Sequence, residues 1–133
     1  MIVDYKEIIK SIRKMWPKIY LPWLPDSKYF ITDINTVIES LMKSGVKDYE
    51  NQGEVFDCDD FALQANAYIK RNERSDGVPW AFGEALGDKY KGREMIHTLN
   101  ICYTTDGFYF IEPQGYYFWK ADSNNDNVLM VKI

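Results

Sequence analysis

The sequence has little cysteine, a single histidine and no excess of positive charge. Its 133 residues include two cysteines, Cys58 and Cys102, and one histidine, His97. The common structural zinc sites need four cysteines, or two cysteines with two histidines, so this chain cannot build one alone. A dense disulfide framework is excluded for the same reason, and we expect both thiols to be reduced.

The charge and hydropathy patterns exclude two further classes of partner. Acidic residues outnumber basic ones by 20 to 16, so no basic field is available to bind nucleic acid. Charged residues occur throughout the N-terminal segment, which lacks the apolar centre of a signal peptide. No stretch reaches the roughly 18 apolar residues of a membrane helix. We therefore expect a cytoplasmic protein with neither nucleic-acid nor membrane partners.

The sequence pattern of the first half of the chain predicts helices. Hydrophobic residues make up 46% of the sequence, enough for the core of one domain over residues 1–133. Apolar residues recur at helical spacing in three segments, of which the second begins after Thr32 or Asp33 and ends at Gly45. The predicted helices are residues 4–15, 34–44 and 58–70. Between the first two, residues 19–31 contain two prolines among aromatic residues and predict an irregular packed segment.

The sequence pattern of the second half of the chain predicts strands. Short runs rich in aromatic and β-branched residues alternate with Gly, Asp, Asn or Pro. The predicted strands are residues 79–86, 95–104, 108–112, 116–119 and 127–132. Helices followed by an antiparallel sheet predict the α+β class, with N-terminal helices packed on a C-terminal antiparallel sheet.

Cys58 is the first candidate for chemistry. It begins a predicted helix for which Asp57 is a good N-cap, and the unpaired N–H groups of a helix start favour a thiolate. The carboxylates of Asp57, Asp59 and Asp60 oppose this, because negative charge disfavours a second anion. A cationic histidine or a bound metal ion would offset them. The alternative is that Cys58 is a small apolar residue of the core.

His97 is the base that a thiol nucleophile would need, since the chain has no other histidine. Its place in the predicted strand puts it on the same face as Leu99 and Ile101, so it points inward. Glu112, on the following strand, is the candidate acid that would orient the imidazole. The alternative for His97 is a hydrogen-bonded histidine of the core.

The hairpin between these two strands decides whether His97 and Glu112 meet. A two-residue loop at Asp106 and Gly107 would leave Glu112 roughly 13 Å from His97 along the strand. A four-residue loop would place Glu112 opposite Leu99 and diagonal to His97, about 7–8 Å away between backbones, which a glutamate side chain can bridge. A three-residue loop would put the two residues on opposite faces. We predict the longer loop or a β-bulge.

An oxyanion hole would complete such a site. Gln52, followed by Gly53 in the loop before the predicted helix, is the best side-chain donor, and the backbone N–H of Cys58 is the natural second donor. The alternative for Gln52 is an ordinary residue of a loop.

Three short motifs resemble a known family. They are FDCDDFA (residues 56–62), IHTLN (residues 96–100) and IEPQ (residues 111–114). Together they resemble the C-terminal protease domain of a mushroom agglutinin and its small bacterial and phage relatives, which share a papain-like (transglutaminase-like) fold. The resemblance covers residues 20–120. The resemblance implies a single papain-like domain. If the protein is encoded by a phage, we expect it in the cytoplasm of the host.

The resemblance also implies roles for the candidate residues. Cys58 would be the nucleophile, His97 the general base, Glu112 the orienting acid and Gln52 the oxyanion donor. The agglutinin domain depends on calcium, so calcium is the implied cofactor. The candidate metal ligands are Asp57, Asp59, Asp60 and Gln114. The acidic turn at residues 122–126 offers further oxygen atoms, although a turn rich in self-bonding side chains explains it equally well.

The residues and the resemblance together predict a cysteine hydrolase that cleaves peptide or amide bonds in a peptide or protein substrate. The same apparatus could pass the acyl group to an amine, as a transglutaminase or amidase does. A non-catalytic phage or structural module that keeps the fold is the other alternative.

Overall fold

The computed structural model describes residues 1–53 and 56–133. The helices in these ranges are α1 (Tyr5–Met15), α2 (Ile34–Ser44) and α3 (Cys58–Asn72), with a short 3₁₀ helix at Val46–Asp48. The strands of the N-terminal half are β1 (Ile2–Asp4), β2 (Leu21–Trp23) and β3 (Lys28–Phe30). Those that follow α3 are β4 (Arg74–Ser75), β5 (Val78–Pro79), β6 (Phe82–Tyr90), β7 (Arg93–Thr104), β8 (Gly107–Glu112), β9 (Tyr117–Lys120) and β10 (Asn127–Lys132).

The helix boundaries follow from local capping chemistry, as the sequence predicts. The carboxylate of Asp33 accepts a hydrogen bond of 2.9 Å from the backbone N–H of Thr36 and so caps α2. Gly45 ends the same helix in the left-handed conformation, with φ of 70°. Asp57 is the N-cap of α3, and its backbone N–H donates to the Asp60 carboxylate over 3.0 Å.

The main sheet has six strands in the order β2-β10-β6-β7-β8-β9. Neighbours pair antiparallel except β2 and β10, which run parallel. Strands β1 and β3 form a separate antiparallel pair, and so do β4 and β5. Both edges of the main sheet are short strands, β2 and β9, which limits the backbone that remains unpaired.

The predicted α+β papain-like class, with N-terminal helices packed on a C-terminal antiparallel sheet, is wrong for this chain. Strands contain more residues than helices. Three of the strands, β1, β2 and β3, lie in the N-terminal half. The segment predicted to be irregular forms β2 and β3, because Pro22 lies in an edge strand, where a missing N–H donor costs little. The sheet is therefore assembled from both ends of the chain, and one of its strand pairs is parallel.

The main sheet carries a hydrophobic core on each face, because side chains alternate along its strands. Leu99 and Ile101 of β7 belong to one core, together with the buried face of α1. Cys102 belongs to the other, where α2 and α3 pack. Both cysteines are free thiols, and burial raises the pKa of Cys102. Within the described ranges, none of the helices combines the length and the apolar character needed to cross a bilayer.

Lys70 of α3 is a mostly buried cation, and its burial predicts a pH-dependent stability. Burial lowers the pKa of Lys70 from 10.5 to about 8, because the charged form loses water. The folded state then binds its proton less tightly than the unfolded state. The cost to stability is complete below pH 8 and is lost as the pH rises through 10.5.

We expect Lys70→Met to raise the free energy of unfolding at pH 7 by about 2 kcal/mol, because the lysine no longer has to be buried as a cation. The gain should fall steadily as the pH rises from 8 to 10.5, as measured by urea unfolding across this range. Lys43→Met is the matched control, because Lys43 is exposed on α2 and should change little. A gain of equal size at pH 7 and pH 10 would contradict the assignment to Lys70 titration.

Candidate functional site

The hairpin between β7 and β8 has the register that the His97–Glu112 pair requires. Asn100 pairs with Ile111, and the pairing continues to Thr104 and Gly107 at the turn. The register is the one predicted for the longer loop and is confirmed, but the turn itself is shorter than predicted, because only Thr105 and Asp106 lie between the paired residues Thr104 and Gly107. This register brings Glu112 level with Leu99 and diagonal to His97 on the shared face of the sheet.

His97 and Glu112 are in direct contact. Nε2 of His97 lies 2.7 Å from Oε2 of Glu112, the distance of a charge-assisted hydrogen bond. The two side chains are 17% and 19% exposed, so both are sheltered but reachable from solvent. Because Nε2 is engaged, the imidazole is held in one orientation and Nδ1 is left for another partner.

Tyr90 supports the imidazole from behind. Its ring meets the His97 ring edge-on, with 6.2 Å between centroids, and its hydroxyl donates to the His97 carbonyl over 3.2 Å. Gly87, which pairs with His97 across the sheet, makes this possible, since a Cβ there would lie 2.6 Å from the Tyr90 hydroxyl oxygen. Burial raises the pKa of Tyr90, and negative charge at Asp126 and Cys58 adds to the effect. The phenol therefore remains a hydrogen-bond donor.

An open cleft of about 480 Å³ surrounds the pair. Aromatic, basic and apolar side chains form its walls, and Tyr117 at the rim is 71% exposed. Its lining comprises Tyr90, Lys91, Arg93, Met95, His97, Leu99, Glu112, Tyr117 and Trp119. The ammonium of Lys91 lies 5.0 Å from the Trp119 ring centroid, a cation–π contact that holds both side chains in the wall. This cleft, from here on called the β7–β9 cleft, joins aromatic faces to a sheltered acid–imidazole pair.

Cys58 lies at the first position of α3 and is not part of the lining of the β7–β9 cleft. Its sulfur and carboxylate oxygens of Asp57 and Asp59 all lie within 4.8 Å of one another. The hydrogen bond between Asp57 and Asp59 is the main cause that raises the pKa of Asp57, followed by desolvation and the charge of Asp59. The neighbouring carboxylate thus makes ionisation of Asp57 less favourable.

Gln52 lies at a second opening, and Gln114 contacts the neighbouring residue Asn51. Gln52 is exposed and lines a cavity of about 490 Å³ with Tyr49 and Phe56, apart from the β7–β9 cleft. Its backbone N–H donates to the Phe56 carbonyl over 2.7 Å. The side-chain oxygen of Gln114 accepts a hydrogen bond of 3.3 Å from the Asn51 amide, so it is engaged with the same loop. The structure therefore brings His97 and Glu112 together, whereas Gln52 lines a different cavity and its oxyanion role stays a prediction.

The candidate calcium ligands are only partly free to bind a cation. Asp60 accepts the N-cap hydrogen bond, and Gln114 accepts from Asn51. This leaves Asp57 and Asp59 beside the Cys58 sulfur, whereas Ca²⁺ takes six to eight oxygen ligands. Calcium binding by this set stays a prediction.

The carboxylates of the acidic turn at residues 122–126 are engaged in hydrogen bonds, three of which stay within the turn. Asp122 accepts hydrogen bonds of 2.9 Å from the Asn124 backbone and from the Asn125 side chain. The Asp126 carboxylate accepts from the backbone N–H of Asp122 over 2.8 Å. The self-bonding interpretation of this turn is therefore the better of the two.

Sequence reasoning missed most of the cleft wall. Lys91 and Arg93 flank the tight turn between β6 and β7, and Trp119 lies in β9, about 28 positions along the chain from Lys91. The usable signal was the combination of a Lys-Gly turn with the aromatic run at residues 116–119. That signal predicts a hairpin and an aromatic strand, but not that they face each other.

Comparison with known proteins gives matches by structure alone. No family model matches the sequence, and no curated protein matches it. The solved structure of a PSL1a–E64 complex superposes with a TM-score of 0.79 at 17% identity, covering 99% of this chain and 51% of the other. A structure of Polyporus squamosus lectin bound to the epitope Neu5Aca2-6Galb1-4GlcNAc superposes with a TM-score of 0.78 at 18% identity, covering 99% and 49%. The chain therefore shares a fold with these structures and spans about half of their length.

These matches contradict the function predicted from the motifs. The second is the structure of a lectin, and neither structure is described as a protease. The predicted family of papain-like cysteine proteases, the hydrolase or acyl-transferase activity and the peptide or protein substrate are corrected accordingly. The short motifs were misleading because each consists of residues that also cap a helix or pair across a hairpin, as Asp57, Asp60 and Glu112 do here.

Proposed function

We propose that this chain binds carbohydrate in the β7–β9 cleft. The observation that carries the proposal is the combination, in one open cleft of about 480 Å³, of the aromatic faces of Tyr117 and Trp119 with the polar pair of His97 and Glu112. A pocket with a few converging polar groups among apolar walls is the usual form of a small-molecule site.

The two kinds of wall match the two kinds of surface on a sugar. A pyranose ring has an apolar C–H face, which packs on an aromatic ring and is released from water there. Its hydroxyl groups donate and accept hydrogen bonds, and the second oxygen of Glu112 is an acceptor for them. Since the His97–Glu112 bond fixes the carboxylate in place, little side-chain freedom is lost when a hydroxyl group binds.

The cations of the cleft favour an acidic sugar. Lys91 and Arg93 are exposed at the cleft, and a guanidinium binds a carboxylate through two parallel hydrogen bonds. The sialylated epitope bound in the Polyporus squamosus lectin structure carries one carboxylate, on its terminal sugar. We therefore take Neu5Acα2-6Galβ1-4GlcNAc as the first ligand to test and the same glycan without its terminal sugar as the second.

Isothermal titration of the wild-type chain should detect binding of the sialylated glycan, with weaker binding of the shortened one. Tyr117→Ala should weaken the affinity about tenfold, because the loss of one stacked ring costs about 1.4 kcal/mol. Tyr20→Ala is the matched control: Tyr20 is 87% exposed but precedes β2, at the opposite edge of the sheet. Equal loss in both variants, or no binding by the wild type, would contradict the proposal.

The grouping of Cys58 with His97 and Glu112 in one site also stays a proposal, and the same protein can test it. The support is that Cys58 and Glu112 both lie close enough to Tyr90 to contribute electrostatically to the raised pKa of its phenol. If the three share a site, saturating glycan should slow alkylation of Cys58 by iodoacetamide. E64, the compound in complex with PSL1a, serves as the second reagent. If the wild-type chain binds neither glycan but E64 modifies Cys58, and this modification requires His97, the carbohydrate proposal fails and the site is one of thiol chemistry.

A further inference from the structure

Asp126 is a buried carboxylate that lies just outside the cleft. Its residue is 1% exposed, and it immediately precedes β10 without lining the cleft. Three donors converge on its two oxygen atoms. They are the Lys91 backbone N–H at 2.9 Å, the Trp119 indole N–H at 3.3 Å and the Asp122 backbone N–H at 2.8 Å. A buried carboxylate needs such donors, because it has left the water that would otherwise solvate it.

Two of these donors belong to the wall of the β7–β9 cleft. Trp119 and Lys91 both line the cleft, and they also contact each other through the cation–π pair. Lys91 has a φ of 51°, in the left-handed region that a lysine rarely adopts without support. The hydrogen bond from its N–H to Asp126 is such a support, since it is made only when the turn has this shape.

A further hydrogen bond, to the backbone carbonyl of Asp126, ties this residue to the core. Its backbone carbonyl accepts a hydrogen bond of 3.0 Å from the indole of Trp16, which is buried in the core beneath the sheet. Asp126 is therefore fixed from behind by Trp16 and reaches forward to Lys91 and Trp119. A group held in this way can transmit a fixed geometry to side chains on two separate hairpins.

We propose that Asp126 is a positioning residue for the β7–β9 cleft, which sets the indole plane of Trp119 and the turn that presents Lys91. Its function in ligand binding rests on the proposed carbohydrate site, whereas the positioning itself does not. Asp122 provides the contrast. It belongs to the same turn and accepts two hydrogen bonds, but both come from Asn124 and Asn125, outside the cleft.

The test compares Asp126→Asn with Asp122→Asn by ¹H–¹⁵N NMR. The Trp119 indole N–H signal is assigned by its loss in Trp119→Phe. In Asp126→Asn we expect this signal and the Lys91 amide to shift and to exchange faster with solvent, because the charged acceptor is gone. Neither should change in Asp122→Asn. Unchanged Trp119 and Lys91 signals in Asp126→Asn would overturn the proposal.

A wild-type measurement covers the case in which Asp126→Asn fails to fold. The Trp119 indole N–H should be protected from hydrogen exchange, whereas that of Trp23, a residue that is 50% exposed, should not be. An unprotected Trp119 indole would overturn the proposal without any variant.

Glycan affinity separates the positioning from the proposed function. Asp126→Asn should weaken sialylated-glycan binding about tenfold, and the effect should shrink in a Trp119→Phe background because the two residues act through one contact. If wild type binds no glycan while the NMR changes occur, the carbohydrate proposal fails and the positioning stands. If wild type binds glycan and Asp126→Asn binds it equally well, the positioning proposal fails and the carbohydrate site stands.

Discussion

Replacing Phe110 by alanine is expected to lower the free energy of unfolding by about 4 kcal/mol, the typical cost of removing a fully buried aromatic ring. Phe110 of β8 is 0% exposed, and its ring lies 5.7 Å from that of Trp16, 5.3 Å from Tyr90 and 5.6 Å from Trp119, measured between centroids. The substitution would leave a cavity that these large rigid rings cannot close without moving.

The position of Phe110 beneath the cleft gives the substitution a second effect. Tyr90 contacts His97, and Trp119 lines the cleft. Both of these rings pack against Phe110, so its loss should disturb the site as well as the core. Urea unfolding measures the stability and glycan titration measures the site. Phe118→Ala is the control, because Phe118 is 42% exposed on the neighbouring strand and should cost about 1 kcal/mol. A loss below about 2 kcal/mol for Phe110→Ala would contradict the central place given to this ring.

A methyl group added at Gly83 is expected to cost about 3 kcal/mol, although the backbone there has an ordinary conformation. The Cβ of an alanine would overlap the carbonyl oxygen of Lys132 and lie 2.7 Å from Cα of Ile133. Both obstacles are backbone atoms, so no side chain can rotate away to make room. The pairing of β6 with β10 must open instead. This pairing includes Glu84 and Lys132, so the strands are held together next to Gly83.

Gly77→Ala separates this steric effect from the general consequences of losing a glycine. Gly77 has a φ of 79° with open space around it, so alanine there should cost only about 1 kcal/mol of backbone strain. Urea unfolding gives both values, and hydrogen exchange at Val131 should report opening of the sheet edge only in Gly83→Ala. Equal costs at the two positions would show that the close approach of β10 to Gly83 is not what limits stability.

The features that were predictable from the sequence are those decided by neighbours along the chain. Asp33 and Gly45 bound α2 because a cap and a left-handed residue act within one turn of the helix. The contact of His97 with Glu112 was predictable as one of three possible outcomes, since a single hairpin turn sets the register over which the two side chains meet.

The features that were missed depend on residues far apart in the sequence. Residues 19–31 carry two prolines and no clear alternation, yet β2 exists because β10, more than 100 residues away, provides the strand that it pairs with. The cleft wall is similar: Lys91 and Trp119 lie on separate hairpins, and both donate hydrogen bonds to Asp126. No local pattern encodes such a meeting.

The functional assignment shows the same division. The thiol, the imidazole and the carboxylate were each recognisable by residue type, and the inference from them to a cysteine hydrolase is contradicted by the comparison with lectin structures. By itself the sequence determined the helix caps and limited the β7–β8 hairpin to a few registers, one of which joins His97 to Glu112, because short-range sterics and hydrogen bonding act between near neighbours. Only the tertiary structure decided the strand order, the buried place of Asp126 and the aromatic cleft, because these depend on which distant surfaces exclude water together.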